Sequence, residues 1–254
     1  MSRAFSLKGR RAVVTGGSRG IGGAASRLLA EAGADVCIGY HSRKADADVA
    51  VAECAAFGVK ATSCASDLTS PAGAGALVTH AVDALGGVDI LIHSAGIWPV
   101  EEVPVATLDD ARWARTMREN VDAMFFVARA AVRVMGSGGR MVFVSSTAGQ
   151  RGESMHADYG ASKGAMISFV KSLAVEVAGQ GITVNAVAPG WVDTEMCVVP
   201  FADGGKERIA KGIPVGRIAS AYDVAFPAVC LCLPGARHVT GEIVNVNGGS
   251  VLCG

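Results

Sequence analysis

The sequence predicts an α/β fold: a single doubly wound Rossmann domain with a parallel sheet of about seven strands and helices on both faces. Three observations carry that expectation. Short apolar runs alternate with longer stretches of helical period almost to the end of the chain, and a glycine-rich turn directly follows the first apolar run. The 254 residues, half of them hydrophobic and 18% charged, suit one large compact domain, expected over residues 1–254.

Strands are expected at 12–15, 36–40, 59–64, 90–93, 141–145, 182–187 and 243–246. Most of these runs are continuously apolar, as strands buried on both faces of a parallel sheet are. Between them Leu77, Val78, Ala81, Val82 and Leu85 keep the i, i+4 rhythm of an amphipathic helix. Trp113, Met117, Val121, Met124, Phe125, Ala128 and Val132 do the same, in a helix read as opening with Thr107 as N-cap and Asp110 three residues on. Residues 191–213 hold no clear period and mix Pro200, Gly204, Gly205 and Gly212 with Met196, Val198, Val199 and Phe201. A long irregular segment inside a compact domain is usually functional. No linker, repeat or low-complexity tract interrupts the pattern.

Composition excludes several classes of function. Lys plus Arg and Asp plus Glu both number 23, so the chain lacks the basic field that nucleic acid or an anionic membrane would need. The longest charge-free stretch, 177–192, contains Gln180, Gly181, Asn185 and Pro189 and is too short and interrupted to span a bilayer. Arg3, Lys8, Arg10 and Arg11 precede an apolar run of only residues 12–14, where a secretory signal needs about 7–15 residues, so a cytoplasmic location is expected. Cys37, Cys54, Cys64, Cys197, Cys230, Cys232 and Cys253 form a scattered, odd set without C-x-x-C spacing and read as reduced thiols, with Cys197 the candidate for exposure. No His/Asp/Glu cluster has ligand spacing, so no catalytic metal is expected. Asp109 with Asp110 and Glu101 with Glu102 read as capping or solvated carboxylates.

The first strand runs into Thr15, Gly16, Gly17, Ser18, Arg19, Gly20, Ile21 and Gly22, and a helical pattern follows. Glycines at 16, 20 and 22 permit a tight turn, and the free N–H groups at a helix start suit a pyrophosphate. Tyr159 and Lys163, four apart on a helix, share one face. A phenol with its ordinary pKa of about 10 is a sluggish proton acceptor, and a neighbouring ammonium is expected to lower that pKa towards the working pH. Ser145 and Ser146 close the fifth strand, where alternation separates their side chains.

Together these segments resemble the short-chain dehydrogenase/reductase family over almost the whole chain. Residues 15–22 match its TGxxxGxG turn, so the resemblance implies cofactor contacts at Gly16, Ser18, Arg19, Ile21 and Gly22. It also implies an adenine contact at Asp67 and Leu68, and a cofactor-facing segment at His93, Ser94, Ala95 and Gly96, where Ser94 stands in place of the family's usual Asn. Asn185, Pro189, Gly190, Val192 and Thr194 fall in the segment that holds the nicotinamide amide, with the substrate lid after it at 191–213. Tyr159 to Lys163 matches the YxxSK motif; Ser146, thirteen residues before Tyr159, takes the place of the catalytic serine in preference to Ser145, and Asn120 that of a mid-helix asparagine whose water contact connects the lysine to solvent.

The implied reaction is reversible hydride transfer between a nicotinamide cofactor and a ketone or secondary alcohol. In it Tyr159 exchanges the proton, Ser146 orients the oxygen, and Lys163 holds the ribose and lowers the tyrosine pKa. The second strand ends at Tyr40 rather than an acid, and His41, Ser42, Arg43 and Arg19 offer a hydroxyl and two guanidinium groups with no carboxylate, so NADP (NADPH) is expected over NAD, with Asp46 and Asp48 near enough to trim the preference. Trp98, Pro99, Gln150, Arg151, Met155, His156, Trp191, Met196 and Phe201 are expected pocket walls, a mostly apolar set that suits a medium-sized ketone. A carbonyl reductase is therefore expected. The 3-oxoacyl-acyl-carrier-protein reductase branch is the most similar, sugar or polyol dehydrogenases share the same motifs, and an interaction protein that binds NADP without catalysis is the alternative of another class. Gln180 stands where reductases of the carrier branch often carry an arginine, and residues 135–140 form the other such neighbourhood. Helices near 107–135 and 157–178 are expected to build a homotetramer, as the resemblance implies.

Overall fold

The computed structural model describes residues 3–253; the first two residues and the last of the expected domain lie outside the described residues. The strands are β1 (Arg11–Thr15), β2 (Asp35–Tyr40), β3 (Ala61–Ala65), β4 (Ile90–His93), β5 (Arg140–Val144), β6 (Thr183–Pro189), β7 (Val192–Asp193), β8 (Ala219–Ser220) and β9 (Ile243–Val246). Seven of them form one parallel sheet in the order β3-β2-β1-β4-β5-β6-β9, and β7 pairs with β8 in a short parallel ladder of its own.

Strand alternation divides the interior in two. Ala12 and Val14 of β1 face a core built with α1 (Gly20–Glu31), α2 (Lys44–Ala55) and residues such as Val224 and Ala228 further along the chain. Val13, between them, faces the opposite core, which is built with α3 (Pro71–Leu85) and the two long helical segments that follow it. The first of these begins as α4 (Asp110–Met117), passes through a π turn, Arg118–Asp122, and continues as α5 (Ala123–Val132). After β5 come α6 (Thr147–Arg151) and the 22-residue α7 (Ala157–Ala178). The chain ends with α8 (Val198–Phe201), α9 (Gly205–Ala210), α10 (Ala221–Cys230) and β9. β4, β5 and β6 are buried throughout, whereas β3, at the sheet edge, is only partly covered. An edge position tolerates Thr62 and Ser63 in the middle of β3, which begins at Ala61, two residues later than its apolar pattern suggests.

Two expectations need correction. Thr107 does not cap α4; it closes a 3₁₀ turn, Val105–Thr107, and the N-cap is Asp109, whose carboxylate accepts the Arg112 N–H at 2.7 Å. Residues 191–213 are not irregular, since β7, a turn at Glu195–Cys197, α8 and α9 occupy most of the segment. These elements are too short to show a period.

The neighbours β1 and β4 are where strand order reverses, so their connections leave towards opposite faces and open a crevice at the strand C-termini. Among the described residues no helix is long and apolar enough to cross a membrane.

Candidate active site

Beyond the C-terminal ends of β1, β2 and β4 lies a cleft of about 690 Å³. Its floor is the glycine-rich turn. Gly16 has φ +61°, a conformation that favours glycine, and a Cβ there would meet the Ala95 nitrogen at 3.1 Å. A Cβ on Gly22 would lie 2.2 Å from the Gly16 oxygen, so the turn closes on α1 only without a side chain at that point. Arg19, the N-cap of α1, contributes no capping hydrogen bond, which leaves the first-turn N–H groups to a ligand. A cradle that backbone lines this closely, at an uncapped helix start, fits the pyrophosphate of a dinucleotide.

Of the residues expected to touch the cofactor, Gly16, Ser18, Arg19, Ile21, Tyr40, His41, Ser42, Arg43, Asp67, Leu68, Ser94, Ala95, Gly96 and Thr194 line this cleft. Gly22, Pro189, Gly190 and Val192 are not among the lining residues: Pro189 and Val192 are buried, and a Cβ on Gly190 would meet that of Asn247 at 3.2 Å. The Asp67 carboxylate accepts the Thr69 N–H and hydroxyl at 2.9 and 2.7 Å, and these bonds lower its pKa. The Thr15 hydroxyl accepts the N–H groups of Ser94 and Ala95, both at 3.2 Å, and pairs with His93 Nδ1 at 2.9 Å. Burial, then the charge of Lys163, pushes His93 down to about 3, so it stays neutral and simply ties β4 to β1.

The expected absence of a carboxylate near the arginines is overturned. Glu195, in the turn after β7, is ion-paired with Arg19 and lies 3.7 Å from Arg43, whose Nε also bonds Asp46 at 2.7 Å. Local sequence could not show this, because Glu195 reaches the arginines only through the fold.

Gly96 connects the cleft to a buried polar cluster. A Cβ there would stand 2.9 Å from Asn120 Oδ1 and 3.7 Å from Lys163 Nζ. Asn120, in the π turn, accepts the Ile97 N–H at 2.8 Å and donates to the Ile97 carbonyl and the Ser162 hydroxyl, both at 2.9 Å. Lys163 donates to the Val144 carbonyl at 2.9 Å, and its Nζ lies 5.8 Å from the centre of the Tyr159 ring. Ser146 caps α6, accepting the Ala148 N–H at 3.1 Å, and its hydroxyl also bonds the phenol of Tyr159. Ser145 turns away and donates to the Lys163 carbonyl.

Burial sets the charges here, and it corrects the expectation that Lys163 lowers the tyrosine pKa. Tyr159 is pushed well above its ordinary value by desolvation, which the bond from Ser146 only partly offsets. Lys163 falls to about 8 for the same reason. One of its N–H groups is bonded to the Val144 carbonyl, and its charge is not among the causes that set the phenol's pKa.

The first turn of α7 is held by a group that sequence reading missed. Asp158, fully buried, accepts from Arg112 Nε at 3.1 Å and the Thr116 hydroxyl at 2.8 Å; burial alone would raise its pKa, and these bonds instead hold it below the ordinary value. The aromatic wall of the site is Trp98, stacked on His156 at 5.0 Å, with Trp191 edge-on to Trp98 and Phe201 beside Trp191, each at 5.9 Å. Glu153, also missed, sits 3.7 Å from His156 Nδ1, with its carboxyl pKa raised by burial. Pro99 and Met196 line the cleft, and Met155 is exposed with φ +65°. Gln150 and Arg151 are not among the residues that line the cleft: the Gln150 amide donates to Asn245 of β9 at 2.6 Å, and Arg151 is exposed.

A family model described as enoyl-(acyl carrier protein) reductase matches residues 16–250. The chain is 36% identical to a 3-oxoacyl-acyl-carrier-protein reductase of Vibrio cholerae, over 98% of this chain and all of the relative. It is also 36% identical to a versicolorin reductase of Emericella nidulans, over 97% of each. Among solved structures, a short chain dehydrogenase from Burkholderia cenocepacia in complex with NADP superposes with a TM-score of 0.89 at 34% identity, covering 96% of this chain and 98% of that one.

Proposed function

Because the chain belongs to the short-chain dehydrogenase/reductase family, whose members are oxidoreductases acting on CH–OH and C=O groups, we propose that it is an NADP-dependent carbonyl reductase of small to medium-sized ketones. The observation that carries this reading is that Asn120 and Lys163 lie directly behind Gly96, which lines the dinucleotide cleft, with the Tyr159 ring beside Lys163 and Ser146 acting on its phenol. The bound dinucleotide supplies the hydride.

The protein's own residues manage the proton and the geometry. Tyr159, kept protonated by burial, donates to the carbonyl oxygen, and Ser146 orients that oxygen from the other side. Lys163 offers its ammonium to the ribose. Asn120 holds Ile97, and with it Gly96, against α7, which makes it a positioning residue. The segment 191–213 serves as the substrate lid, and Trp98, His156, Trp191 and Phe201 favour an apolar or flat ketone.

The NADP assignment rests on the end of β2, where Tyr40, His41 and Ser42 lack a carboxylate in line, and on Arg19 and Arg43 at the same rim. The NADP complex of the similar Burkholderia cenocepacia protein supports it. Cofactor oxidation with a panel of ketones tests the whole reading, and silence across the panel would favour a binding protein without catalysis. With an active ketone, kcat/KM is expected to be at least tenfold higher with NADPH than with NADH, and Arg19→Ala or Arg43→Ala should cut that preference. Equal efficiencies in the wild type would refute the assignment.

The named relatives favour a 3-oxoacyl-acyl-carrier-protein reductase as the second reading. A cytoplasmic homotetramer completes the proposal, its interfaces drawn from α4, α5 and α7, where Trp113, Phe125 and Val175 are exposed.

A further inference from the structure

We propose that Glu195 is a cofactor-specificity residue: its carboxylate occupies the place of the 2′-phosphate between Arg19 and Arg43, and the phosphate must displace it. This rests on the NADP reading above. The two arginines come from separate loops, Arg19 from the start of α1 and Arg43 from the N-cap of α2, and Glu195 comes from the opposite side, after β7. One carboxylate oxygen is paired with Arg19, and the other lies 3.7 Å from Arg43. An anion bridging two guanidinium groups is the arrangement a phosphate monoester would take there. All three residues line the same cleft, and the segment is seated against its floor, since a Cβ on Gly20 would meet the Thr194 methyl at 3.6 Å.

A 2′-phosphate set between the two guanidinium groups would occupy the position of the Glu195 carboxylate and repel it. Its binding must therefore break both contacts of Glu195, whereas a ribose 2′-hydroxyl leaves the triad in place. Glu195 thus weakens binding of phosphorylated adenosine selectively. Arg43 keeps Asp46 as a partner throughout. Because Arg19 and Glu195 are about half exposed, each pair is weak, and the selective effect is expected to be roughly three- to tenfold.

The test is calorimetric titration of adenosine 2′,5′-bisphosphate and of 5′-AMP into wild type, Glu195→Gln, Arg19→Ala and Glu101→Gln. Glu101 lines the same cleft but pairs with neither arginine, so its variant controls for a general loss of negative charge. Glu195→Gln should bind the bisphosphate about three- to tenfold more tightly with 5′-AMP unchanged, and Glu101→Gln should match the wild type. If the wild type prefers the bisphosphate and Arg19→Ala abolishes the preference, but Glu195→Gln behaves as wild type, the NADP reading stands and this inference falls. An equal gain in Glu101→Gln overturns it too. No preference for the bisphosphate in either wild type or Glu195→Gln removes the NADP reading, and this inference with it.

Discussion

Burial holds the proton on Tyr159 and loosens the one on Lys163, and each displacement has a measurable outcome. Tyr159→Phe removes only the transferable proton, so dinucleotide affinity should stay while kcat falls by about 10²–10⁴-fold; a variant keeping more than about a tenth of wild-type kcat would remove the assigned role. Lys163 titrates near 8, so kcat/KM for reduction should fall as pH rises through that value and its ammonium is lost. Stability moves the other way. Between about 8 and the ordinary 10.5 the unfolded chain keeps on Lys163 a proton that the folded one has released, so this group's contribution to the unfolding free energy rises with pH across that window. Burial raises the thiol pKa of Cys37, Cys54 and Cys232, which lowers the stability of wild type and Lys163→Met alike as pH rises, so the readout is a difference. Urea denaturation at pH 8 and 10 should show wild type gaining stability relative to Lys163→Met as pH rises, and an unchanged difference would remove the assigned shift. At this scale the residue types and the four-residue spacing were legible in the chain, but the direction of the tyrosine shift was not, because desolvation depends on what packs around the ring.

The junction of β1 with α1 depends on contacts between backbone atoms. Gly22→Ala would drive a methyl to 2.2 Å from the Gly16 oxygen, where the obstructing atom is main chain and no rotamer change relieves it. Overpacking of this kind costs about 1–3 kcal/mol. Thermal denaturation should show a lowered Tm, and titration should show dinucleotide binding weakened at least tenfold; unchanged binding would mean that the turn is not the phosphate cradle. The glycine spacing announced this junction. The start of α4 was harder to read, because Thr107 and Asp109 are both good caps and only the 3₁₀ turn that consumes Thr107 decides between them. Likewise β7, α8 and α9 are held by the pairing of β7 with β8 and by contacts with neighbours, too briefly for any periodicity to appear.

Over the whole molecule, charge and burial bear on the substrate. The formal net charge is zero, Arg140 is buried with its guanidinium bonded to the Gly138 and Gly139 carbonyls, and Gln180 is uncharged, so an acidic carrier protein finds little to steer it from these two neighbourhoods. Small free ketones should therefore be reduced with a kcat/KM at least equal to that of carrier-bound 3-oxoacyl groups. A tenfold advantage for the carrier-bound substrate would promote the second reading in place of the first.

What the sequence by itself determined are features written over a few consecutive residues: the alternation that sends Val13 to one core and Val14 to the other, the glycines of the turn, and the helical step from Tyr159 to Lys163. Such patterns reflect backbone geometry, which repeats every two or 3.6 residues and so leaves its period in the chain. Only the tertiary structure decided that Glu195 meets Arg19 across 176 positions, that Gln150 turns to Asn245, and that Asp158 anchors the start of α7 through Arg112. Those meetings follow from the sheet order and the packing of its connections, and contacts through space between residues far apart in the chain leave no period to read.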